Sequence, residues 1–245
     1  MTKKMSSAAE NGALIGRPHG AEKKLRPNHW SPQYLWLCHH ASPSRSPQVF
    51  EAFCAYMFGD KTQHINAEQF QVPQSTLPRL TLTLQAIEPL MIDAYNAYIK
   101  QPVRSYGDSH KICKKFTSLF KPLEYQADRN CVTFPKKLDK GAAMLEQYLV
   151  NDPIPTNWGT EYLQTLLVLV NASQACSASI VNLHEDPKLQ MKESLEMLGV
   201  STATYYRTRR TVLRMHAIIT LFVECIRLSQ GGGDPLPFNP EVNMS

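Results

Sequence analysis

A helix stopped by glycine and restarted shortly afterwards by a serine cap fixes the path of a chain tightly. Segment 198–207, Leu-Gly-Val-Ser-Thr-Ala-Thr-Tyr-Tyr-Arg, has that form. Gly199 can adopt the left-handed backbone that ends a helix, Val200 is an apolar plug between two helices, and Ser201 can accept a bond from a free N–H of the next helix. Upstream, Leu189, Met191, Leu195 and Leu198 fall on one face of a short helix, with Lys188, Lys192, Glu193 and Glu196 toward solvent. Downstream, no acidic residue occurs between 202 and 215, and Thr202, Thr204, Tyr205 and Tyr206 precede Arg207, Arg209, Arg210 and Arg214. This order predicts a helix-turn-helix whose second helix meets the base edges and phosphates of double-stranded DNA. Ser201, Thr202, Thr204, Tyr205, Arg207, Arg209, Arg210 and Arg214 are its candidate DNA-binding residues.

The same pattern occurs earlier in the chain. Val72, Thr76 and Arg79 recur as Val200, Thr204 and Arg207 at one offset of 128 residues, and segment 70–79 aligns with 198–207. A second block, 35–50, aligns with 166–181 at an offset of 131. Gln74, Ser75, Thr76 and Arg79 are therefore the candidate DNA-binding residues of a first copy. That copy has Pro78 inside its second helix, tolerable only in the first turn, and Arg79 is its sole basic residue before Lys100. The second copy is expected to carry most of the base contact.

Composition supports a helical reading. Only 11 glycines occur in 245 residues, and most apolar residues recur at helical rather than alternating spacing. The expected fold is all-α, with two small helical bundles, each ending in a helix-turn-helix and burying its own small core. The units are placed at 31–99 and 156–229, joined by a basic, partly helical linker at 100–155. A basic arm at 1–30 and a Gly- and Pro-containing tail at 230–245 are expected to be disordered.

Charge and chemistry narrow the function classes. The net charge of +5 and pI near 8.8 are mild for a nucleic-acid binder, so the placement of charge matters more than its sum. In the linker Lys100, Arg104, Lys111, Lys114, Lys115, Lys121, Lys136, Lys137 and Lys140 outnumber the acids, which suits either phosphate tracking or a solvated connector. The longest apolar run, 217–223, is too short for a bilayer that needs about 20 residues. The arm offers no signal-peptide core. No membrane partner is expected, and the location expected is the cytoplasm, in association with the nucleoid.

The six cysteines form no C-x-x-C pair, and the Cys38-His39-His40 run is expected on a helix surface rather than at a metal. No phosphate-cradling glycine loop, nucleophile pair or carboxylate pair stands in a recognisable setting, so neither an enzyme nor a cofactor is expected. The apolar face from Met215 to Leu228 is expected to pack on Leu163, Leu166, Leu167 and Leu169 of its own unit, a homo-oligomer interface being the alternative.

Residues 34–98 resemble the fimbrial adhesin-biosynthesis transcription regulators of the PapB and FaeA family. The likeness is carried by Leu35-Trp36-Leu37, Ser42-Pro43 and Ser46 before Val49, the 53–56 helix closing on Gly59, and Asn66-Ala67-Glu68-Gln69-Phe70 before Val72. Residues 161–228 resemble the family less closely but have the better recognition helix. The resemblance implies sequence-selective binding to promoter DNA, often as side-by-side oligomers, and bacterial operon control. Family members carry one unit, whereas this chain carries two divergent ones. The rival reading is a non-catalytic interaction adaptor that uses degenerate helix-turn-helix units as scaffold.

Overall fold

The computed structural model describes residues 30–41, 46–101, 125–126, 129, 131–132 and 153–239. Among them are eight helices: α1 (Pro32–Ala41), α2 (Pro47–Phe58), α3 (Gln63–Gln69), α4 (Thr76–Ile99), α5 (Thr160–Leu169), α6 (Gln174–Glu185), α7 (Met191–Met197) and α8 (Thr202–Ser229). A two-residue strand pair, β1 (Tyr125–Gln126) with β2 (Cys131–Val132), runs antiparallel and sits against α2. The expected all-α class holds. This hairpin belongs to the linker, whose expected helical part and whose lysines from 111 to 140 lie outside the described residues, as does the arm before Trp30.

Helices α1 to α4 and α5 to α8 repeat one another. The paired lengths are 10 and 10, 12 and 12, and 7 and 7 residues, followed by one long helix in each half. The register is near 128 throughout, so the offset of 131 read for the first block is corrected. Trp30, Tyr34 and Leu35 stand where Trp158, Tyr162 and Leu163 stand, and all six are buried. Both indoles meet the long helix of their own half. Trp30 Nε1 donates to Glu88 Oε2 at 3.2 Å, and the Trp158 ring lies 4.4 Å from that of His216, 128 residues after Glu88. His216 Nδ1 also lies 3.0 Å from the Tyr162 hydroxyl.

The two halves do not bury separate cores. One continuous apolar cluster runs from Trp30 through Tyr98 and Trp158 to Val223. Helix α4 packs on α5 as well as on α1, and α8 packs on α1 and α4 as well as on α5 and α6. Tyr34 meets Phe222 at 5.5 Å, Tyr95 meets Phe222 at 5.6 Å, and Tyr98 meets Tyr162 at 5.5 Å between ring centroids. The physical reason lies in α8. From Met215 to Val223 every residue is buried, so the helix is covered on all sides and one neighbouring layer cannot do that. Its own unit covers part, as expected, and the other unit covers the rest.

Part of the described tail, from Pro235 to Phe238, is held against the core. Pro235 is buried, the Phe238 amide donates to Asn96 Oδ1 at 3.0 Å, and the Tyr95 hydroxyl donates to the Leu236 carbonyl. Cys38 and His39 are also interior, contrary to the expected surface position; they lie on the buried side of α1 beside Phe50.

Candidate nucleic-acid interface

In the second unit α7 stops at Met197 and the chain turns through Leu198, Gly199, Val200 and Ser201 before α8 begins. Gly199 takes φ +64°, the left-handed conformation that lets the Val200 N–H reach back to the Leu195 carbonyl at 2.9 Å. Ser201 then caps α8. Its hydroxyl oxygen accepts from the Thr204 N–H at 3.1 Å and lies 2.9 Å from the Thr204 hydroxyl.

The first unit builds the same turn from other residues. Gln71 holds φ +54°, and the Val72 N–H donates to the Ala67 carbonyl at 2.9 Å. The Thr76 N–H reaches the Pro73 carbonyl at 2.9 Å, and the Gln63 side-chain amide donates to the Gln74 carbonyl at 2.7 Å. Here a glutamine braces from outside what a serine cap does in the second unit. The equivalence continues into the long helices, where Thr83 donates to the Arg79 carbonyl at 2.9 Å and Thr211 to the Arg207 carbonyl at 3.0 Å.

The exposed ridge at the start of α8 consists of Thr202, Ala203, Tyr206, Arg207 and Arg210, with Ser201 and Thr204 exposed beside it. No acidic residue lies in its first turn. The equivalent ridge of the first unit is Gln74, Ser75, Pro78, Arg79 and Leu82, again without an acid in the first turn. Two candidates lie inward. Tyr205 is buried and Thr76 is buried, each on the side of its helix that faces the core. Burial pushes the Tyr205 phenol above its ordinary pKa, and the nearby Arg209 guanidinium offsets part of that.

Tyr206, 39% exposed, takes the outward place assigned to Tyr205. The Arg209 guanidinium sits 4.8 Å from the centre of the Tyr206 ring, which holds a half-buried cation against the ridge. Arg214 is half-buried a turn further in. Sequence reasoning placed Tyr206 at the helix start without making it a candidate, and missed Ala203, Pro78 and Leu82 as ridge residues. The signal for them was the constant offset of 128, which pairs 74, 75, 78, 79 and 82 with 202, 203, 206, 207 and 210, exposed in both units.

The ridges are unequal. Arg79 and Arg207 match, but Leu82, 67% exposed, stands where the second unit has Arg210. Helix α7 adds an exposed Lys192 to Glu196 pair at 3.9 Å, whose charges largely cancel. Among the described residues no group of three or more His, Cys, Asp or Glu side chains is gathered as a metal site, and no helix is long and apolar enough to cross a membrane. No protein-family model, curated protein or solved structure matches the chain.

Proposed function

We propose that the protein is a sequence-specific binder of double-stranded DNA that regulates transcription, with the start of α8 as its main reading surface. The observation that carries this reading is the paired construction. Two short helices end in the same left-handed turn, and each is followed by a long helix whose exposed first turns carry an arginine and no acid. A helix N-terminus with free N–H groups suits phosphate, and exposed Arg, Thr and Tyr side chains suit base edges and backbone oxygens. The resemblance at 34–98 extends the proposal to a fimbrial or related operon and to a cytoplasmic, nucleoid-associated protein that performs no catalysis.

The test is a titration of the full-length protein against duplex DNA at low salt, followed by the Arg207→Ala, Arg210→Ala double variant. Loss of binding with unchanged circular dichroism supports the reading. A wild-type protein that shifts no duplex at low salt removes it. A second reading, protein docking by the first unit, is favoured by Leu82 exposed on that ridge. It predicts a complex insensitive to salt and lost on Leu82→Ser.

A further inference from the structure

The relation between the two units carries more than their likeness. A repeat stacked by translation makes one-way contacts, the back of one copy meeting the front of the next. A two-fold arrangement makes reciprocal ones, in which element i of one copy meets element j of the other and j meets i. Here α4 of the first unit packs on α5 of the second, and α8, the equivalent of α4, packs on α1, the equivalent of α5. The long helices α4 and α8 meet each other. Reciprocity reaches the side chains. Tyr162 receives Tyr98 from α4, and its equivalent Tyr34 receives Phe222 from α8, one turn before the residue that strict symmetry would place there.

We infer that an approximate two-fold axis passes between α4 and α8, and that a single chain binds an inverted-repeat DNA site with unequal halves whose centres lie one helical turn apart. This inference rests on the DNA-binding reading above. The spacing follows from helix lengths. Tyr95 and Phe222 mark where the long helices meet, 5.6 Å between ring centroids. Arg79 precedes Tyr95 by about 24 Å of helix and Arg207 precedes Phe222 by about 22 Å, at 1.5 Å per residue. The two arginines are therefore at most roughly 50 Å apart, a ceiling that admits half-sites about 34 Å apart and excludes half-sites about 68 Å apart.

The inequality follows from the ridges. Arg79 and Arg207 offer the same fork to guanine in each half, while Arg210 offers a second fork where Leu82 offers only an apolar contact suited to a thymine methyl. A homodimer must present the same surface to both half-sites. A fused pair need not.

The experiment selects bound duplexes from a random library with the full-length protein, then measures the footprint and the mass of the complex. The expected product is an inverted repeat with centres about 10 to 10.5 base pairs apart, bound by one chain, in which Arg79→Ala relaxes selection in one half and Arg207→Ala in the other, each weakening binding about 5- to 150-fold. A direct repeat, a single half-site, two chains per site, or both variants relaxing the same half would overturn the two-fold reading while leaving DNA binding intact. Failure to enrich any duplex would remove the DNA-binding reading and the inference with it.

Discussion

Gln71 and Gly199 occupy the same place in the two units and hold the same left-handed backbone, φ +54° and +64°. Only one of them is glycine. A side chain in this conformation is strained by about 1–2 kcal/mol, partly offset because glycine loses more chain freedom on folding. Gln71→Gly should therefore stabilise the protein by about 1 kcal/mol. Gly199→Ala should destabilise it by a similar amount from the backbone alone, since a Cβ there meets nothing within 4 Å. Urea unfolding midpoints check both. Opposite signs are expected, and equal signs would show that the two turns bear different loads.

Exchanging the residues at the unequal ridge position should move DNA affinity without touching the core. Leu82→Arg adds a cation to an exposed site, and binding should strengthen while the dependence of log affinity on log salt steepens by about 0.9. Arg210→Leu should weaken binding and flatten that dependence by a similar amount. Titrations at several salt concentrations read both slopes. Unchanged slopes would place position 82 or 210 away from phosphate.

The shared core makes the two units one cooperative body. Phe222, 3% exposed between Tyr34 and Tyr95, belongs to α8 but packs on residues of the first unit. Phe222→Ala should lower stability by about 3–5 kcal/mol. The loss should appear equally in a Trp30 probe and in a Trp158 probe, each read in a variant with the other tryptophans replaced by Phe. Two separated midpoints in the parent protein would contradict the continuous core.

Alkaline pH should unfold the protein through its interior thiols. Burial pushes Cys38 and Cys225 up to about 12, and pushes Cys54 well above its ordinary value of 9.0. The neutral thiol is thus favoured in the folded chain. Its contribution is complete below the unfolded value of 9.0 and is lost as pH rises toward 12, because the unfolded chain releases those protons first. Denaturant midpoints should fall over that window, and the thiols should resist iodoacetamide at pH 8 until the chain unfolds.

The turn of the second unit was legible because each of its residues has one strong physical role: glycine for positive φ, valine for the plug, serine for the cap. The first unit's turn was legible only by comparison, since Gln71 gives no local sign of a left-handed backbone. The offset read at 35–50 went astray because it leaned on leucine and serine matches, which any pair of helices supplies. Trp30 and Trp158 with Tyr34-Leu35 and Tyr162-Leu163 carry far more information and fix the register. Tyr205 was chosen over Tyr206 as a candidate because adjacent helical positions differ by about 100° and either could face inward. The joined core was beyond periodicity altogether. A run such as 215–223 tells that a helix is covered on all sides, but not by what.

That joined core has a consequence for how the molecule can change over generations. In a pair of identical subunits every replacement on the reading helix occurs twice, so one half-site cannot be retuned without disturbing the other. Here Leu82 and Arg210 already differ while Thr83 and Thr211 still make the same bond in both halves. The fused frame holds the geometry of a pair, and each half is free to acquire its own vocabulary.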